Sequence, residues 1–83
     1  MNDAQISAAI ESLGAKIQAG GADKAMAECH FERGKLYWRL DRRADAISDY
    51  ESAVQLDPAS PAAAALAIAR DVMNFYHRDL YNP

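Results

Sequence analysis

Cys29 and His30 are sequence neighbours of the types that could supply a thiol nucleophile and its base. A thiol is activated only when the base reaches it through a hydrogen bond. Sequence neighbours on a helix point about 100° apart, so the pair cannot converge. Cys29 therefore reads as a small packing residue and His30 as a residue of a helix interface. His77 falls near the end of the last helical segment, where a cation favours the helix dipole. Asp41, Asp45 and Asp49 recur at four-residue steps. They alternate with basic residues and lack the glycine-centred spacing of a calcium loop, so they read as caps and solvated charges. No glycine-rich phosphate loop, His-Glu-x-x-His pair or Cys-x-x-Cys occurs. The expectation is a non-enzyme with no catalytic residue, no metal and no cofactor.

Residues that could bind rather than react sit between His30 and Pro61, in "HFERGKLYWRLDRRADAISDYESAVQLDPASP". Four helical segments position them. In the first, "NDAQISAAIESLGAKIQAGG", Ile6, Ala9, Ile10, Leu13 and Ile17 recur at helical steps. Asn2 or Asp3 caps its start, and Gly20 and Gly21 end it. The second follows Asp23 as N-cap and runs to about Leu40. It carries a stripe of Met26, Cys29 or His30, Arg33 or Gly34, Tyr37 and Leu40, with Phe31, Lys35, Trp38 and Arg39 on another face. The third runs from about Ala44 to Leu56, with Ala46, Ile47, Tyr50, Ala53 and Val54 inward. "DPASP" then breaks the chain, because Asp57 precedes a proline. Ser60 caps the fourth helix and Pro61 opens it, and this helix reaches about Arg78. Its inward face is read as Ala65, Ile68, Ala69, Val72 and Tyr76, with Leu66, Met73 and Leu80 beside it. No strand-like alternation appears, and short connections imply antiparallel neighbours. The fold class is all-α, built of helical hairpins.

Eighty-three residues allow one domain. A domain this small buries only about 60% of its unfolded surface. One cysteine excludes an intrachain disulfide. The apolar fraction is 51%, much of it alanine, which favours close-packed helices over a thick core. A formal charge of −3 argues against a nucleic-acid partner. No apolar run reaches the ~20 residues of a membrane span. The start "MNDAQISAAIESLGAK" lacks the basic head and apolar core of a signal peptide. A cytoplasmic protein is the expectation.

From about Ala27 to Ser60 the chain resembles the tetratricopeptide repeat, a helix-turn-helix of about 34 residues with the pattern W-x2-L-G-x2-Y, A-x3-F and P. His30 stands at the Trp position and Arg33 at the Leu position. Gly34, Tyr37, Ala46, Tyr50 (for Phe), Ala53 and Pro58 fall at the expected spacing. Gly34 and Ala46 lie where the helices of one hairpin cross closely, Tyr37 and Tyr50 fill the space beside them, and Pro58 sets the turn. Arg33 and His30 depart from the pattern. Either the packing there is thinner or these polar groups find partners.

The resemblance implies a chain divided into a leading helix (1–22, a degenerate half repeat), a full helix pair (24–60), a capping helix (61–78) and a tail (79–83). It also implies binding of a peptide or helix in the concave groove lined by the first helix of the repeat. Carried onto this sequence, the groove positions are Glu28, Phe31, Lys35, Trp38 and Arg39. Phe31 and Trp38 are seven residues apart with Lys35 between them, an aromatic and basic strip suited to an apolar side chain or a carboxylate. The same two aromatics would instead be packing residues if the first or last helix covers them. A carboxylate clamp like that of chaperone-binding relatives needs successive repeats, which one full repeat cannot supply. Arg39, Arg42 and Arg43 cluster at the hairpin turn, with Asp41 and Asp45 as counter-charges. Phe75, Tyr76, Leu80 and Tyr81 make a dense apolar ending, which either folds back on the chain's own helices or docks on a second copy or a partner. Two roles follow: an adaptor for an unknown protein or peptide, or a structural protein acting as a homodimer.

Overall fold

A computed structural model describes the backbone of residues 1–81 and the side chains through Tyr76. The expectations for the side chains of His77, Leu80 and Tyr81, and for Asn82 and Pro83, lie outside the described residues. Four α-helices follow one another: α1 (Asp3–Ala19), α2 (Asp23–Arg39), α3 (Arg43–Leu56) and α4 (Ala62–Tyr81). Asn2 caps α1 in a reciprocal box, its side chain accepting from the Gln5 backbone N–H at 2.8 Å while the Gln5 side chain accepts from the Asn2 N–H at 2.9 Å. Gly20 ends the helix at φ 79°, where a Cβ would be strained. Asp23 is the first residue of α2 and not its cap. Ala22 takes the cap position and supplies no side-chain acceptor, while Asp23 still places a negative charge in the first turn.

The turn from α2 to α3 closes by paired backbone bonds. The Arg42 N–H donates to the Tyr37 carbonyl at 2.9 Å and the Asp41 N–H to the Trp38 carbonyl at 3.1 Å. Together they form a Schellman motif, with Asp41 at φ 62°, the one non-glycine residue at positive φ among the described residues. At the next turn the Asp57 side chain accepts from the Ala59 N–H at 3.1 Å, and the Ser60 hydroxyl accepts from the Ala62 N–H at 3.1 Å. Ser60 is buried and its hydroxyl satisfies the N–H of Ala62, the first residue of α4, while Pro61 lies just before the helix rather than opening it.

α2 packs between α1 and α3, and α3 packs in turn on α4. The main core is Ala27, Ala46, Tyr50, Ala53, Ala62, Leu66 and Ala69. Five of these seven are alanines, and each buried methyl contributes only about 0.8 kcal/mol. Stability therefore depends on how closely the helices approach. At Gly34 a Cβ would stand 2.6 and 2.8 Å from the Tyr50 ring and 3.2 Å from the Ala46 carbonyl oxygen. This is the close crossing that the glycine, alanine and aromatic spacing predicts.

Two expectations are corrected here. On α4, Ile68 and Tyr76 are 64% and 52% exposed, whereas Ala62, Leu66 and Ala69 are buried. The buried face is thus centred on Ala62, Leu66 and Ala69, rotated from the one the spacing predicts. On α3, Asp49 is not a solvated charge: it is 3% exposed, in the same face as Ala46, Tyr50 and Ala53.

Candidate functional site

The two polar departures in α2 meet that buried aspartate. The Arg33 guanidinium donates from Nε to Asp49 Oδ2 at 2.7 Å and from Nη2 to Oδ1 at 2.8 Å. His30 Nδ1–H donates to the same Oδ1 at 2.8 Å. The Asp49 hydrogen bond holds the Arg33 guanidinium above its ordinary value, against the opposing effect of burial. His30 and Arg33 are partly buried, and both find their partner in α3. The cluster is a polar layer of the α2–α3 crossing, structural in position. No described group of three or more His, Cys, Asp or Glu residues is arranged to hold a metal.

Sequence reading missed Asp49. A signal was present, because residues 46, 49, 50 and 53 share one helix face by their spacing. An aspartate in that stripe, opposite two polar residues at positions the repeat makes apolar, points to mutual compensation.

The five groove positions lie along α2. Glu28, Lys35 and Arg39 are exposed, and Phe31 and Trp38 are half-buried. Phe31 packs on Tyr50, ring centroids 6.1 Å apart. Its ring also carries the Lys35 ammonium at 4.5 Å, and that ammonium is ion-paired to Glu32 at 3.0 Å. Trp38 borders a small cavity of about 160 Å³ with Tyr50, Ala65, Ile68 and Ala69, so α4 covers part of it. The Arg43 guanidinium lies 4.7 Å over the Trp38 ring and 5.4 Å from that of Tyr76, and bonds Asp41 at 3.1 Å. Arg42 pairs with Asp45 at 2.8 Å and lies over Tyr37. The aspartates at this turn are thus the local counter-charges expected, while Arg39 has no ion pair among the described residues.

A larger cleft of about 600 Å³ opens beside Phe31. Its walls are the first turns of α2, the end of α3 and the turn into α4, and Glu28 and Phe31 line it. Lys35, Trp38 and Arg39 do not. The strip read from α2 is therefore divided: its first part borders an open cleft, and its second part is partly roofed by α4 and by Arg43.

Residues 27–60 match the sequence model of the tetratricopeptide repeat family. No curated protein and no solved structure matches the chain. The matched residues coincide with most of the α2–α3 hairpin and its following turn, including the close crossing at Gly34, so this part of the chain is similar to one full tetratricopeptide repeat, with a helix on either side.

Proposed function

We propose that this chain is a protein–protein interaction module that takes a peptide or helix along α2, at Glu28, Phe31, Lys35, Trp38 and Arg39, with no chemistry of its own. A tetratricopeptide repeat is a protein-interaction repeat, which supports the general reading. The observation that carries the specific one is the open cleft beside Phe31, where a half-buried aromatic offers apolar surface next to exposed charged side chains. No described helix is long and apolar enough to cross a membrane, and the reading places the module in the cytoplasm.

A photo-crosslinking residue at position 35 should capture the partner, whereas one at the exposed Gln55 of α3 should not. Glu28→Arg, at an exposed site that lines the cleft, should weaken capture without unfolding the protein. Equal crosslinking from both positions would refute the groove assignment. Trp38→Ala is a poorer probe, because Trp38 also packs on the core and its removal lowers stability as well.

Self-association is the second reading. It is favoured by α4, where Ile68, Phe75 and Tyr76 are each more than half exposed. Light scattering across a concentration series decides it, and a strict monomer at high concentration would exclude it.

A further inference from the structure

We propose that the cleft beside Phe31 takes a basic segment of the partner, a lysine or arginine set next to an apolar side chain; this rests on the groove reading above. The cleft is lined by apolar Ala27, Phe31, Leu56 and Pro61, and among them stand the carboxylates Asp23, Glu28, Glu32 and Asp57 against Lys24 alone. Four carboxylates and one ammonium leave three negative charges, which equals the net charge of the whole chain. The rest of the molecule is formally neutral, so its negative charge is concentrated here.

Two effects oppose this polarity. The N-termini of α2 and α4 both face the cleft, and each is equivalent to roughly half a positive charge. Lys35 reaches Glu32 at 3.0 Å. With both counted, the cleft still holds about one negative charge. Asp23 and Glu28 are exposed and have no ion pair among the described residues. The Phe31 ring already carries the Lys35 ammonium, so it offers an incoming segment apolar contact and leaves the cation to the carboxylates. Charge at such exposed positions governs selectivity more than affinity. The chemistry is thus opposite to a site for carboxylate tails.

Fluorescence anisotropy on the full chain, with three labelled peptides of equal length, tests this. One alternates lysine with leucine, one glutamate with leucine and one glutamine with leucine. Two exposed ion pairs predict about ten-fold tighter binding of the lysine peptide than of the glutamine peptide, a preference that shrinks with salt. The glutamate peptide should bind most weakly. Asp23→Asn with Glu28→Gln should remove most of the preference. Equal or tighter binding of the glutamate peptide, no preference among the three, or no binding of any overturns the proposal. Backbone amide shifts separate the two levels of the reading. Shifts at Glu28 and Phe31 without charge preference refute only the basic occupant. Shifts confined to α1 refute the groove itself.

Discussion

Asp49→Ala removes the one acceptor shared by Arg33 and His30, and its effect can be worked from the geometry. Three charge-assisted hydrogen bonds of 2.7–2.8 Å are lost. The Asp49 side chain is 4% exposed, against 23% for Arg33 and 15% for His30. Were both partners locked inside, stranding them would cost about 3–5 kcal/mol. An exposed pair would be worth about 0–1 kcal/mol. Arg33 keeps an outlet to solvent and His30 a smaller one, so a loss of about 2–3 kcal/mol is expected, between those limits. For a chain of this length, total stability is of order 4–12 kcal/mol, and the melting temperature should fall by about 10–20 °C. Urea unfolding followed by helical circular dichroism measures both quantities. Replacing the layer together, with His30→Trp, Arg33→Leu and Asp49→Leu, restores apolar residues and should recover at least wild-type stability, because the desolvation penalty disappears with the charges. An Asp49→Ala loss below about 0.5 kcal/mol, or a triple variant weaker than the single one, would refute the assignment of the cluster as a compensated polar layer.

Gly34→Ala should cost about 1–2 kcal/mol, since overpacking against Tyr50 and the Ala46 carbonyl outweighs the gain in helix propensity. Gly14→Ala, whose Cβ meets only the Arg33 guanidinium at an ordinary 3.5 Å, should instead stabilise by about 0.5–1 kcal/mol; urea midpoints compare the two. Asp41→Gly relieves the left-handed C-cap of α2 and should add about 0.5–1 kcal/mol in the same assay, net of the exposed Arg43 pair it gives up. Burial, and secondarily the Asp49 charge, raise the Tyr50 phenol above its ordinary 10.0. The native state therefore keeps this proton where the unfolded chain releases it, so stability is intact below pH 10.0 and falls as pH rises through the raised value. Tyr50→Phe should flatten that slope, as urea midpoints on either side of pH 10.0 would show.

Signals complete within a few residues were legible in the sequence. The Asn2 cap, the Gly20 stop, the Asp57–Pro61 turn and the Gly34–Ala46–Tyr50 crossing each depend on local backbone chemistry or on one hairpin's fixed spacing. The orientation of α4 was less legible for a physical reason. Alanine occupies positions 62–65, 67 and 69, and a helix so rich in one small side chain has little contrast between faces. The large Ile68 then drew the reading toward the wrong side, although it stands 64% exposed. Asp49 was missed because its meaning lies in residues 16 and 19 positions away. Taken alone it is a charged residue on an acidic helix, and only the pairing of α2 with α3 turns it into the counterpart of Arg33 and His30.

The same limit applied to the groove. One wall, Glu28 through Arg39, belongs to a single helix and could be read from its period. The other wall comes from the end of α3 and the turn into α4, which bring Leu56, Asp57 and Pro61 into the cleft. The single-helix view gave a basic and aromatic strip. The assembled site has an acidic, open end and a cationic end whose Lys35 and Arg43 are already engaged by Glu32, Asp41 and aromatic rings. A partner approaching this face would meet the carboxylates of Asp23, Glu28 and Asp57, none of them ion-paired among the described residues, against Lys24 in the cleft and Arg39 beyond it, so the polarity of the site comes from both walls together and not from the α2 strip alone.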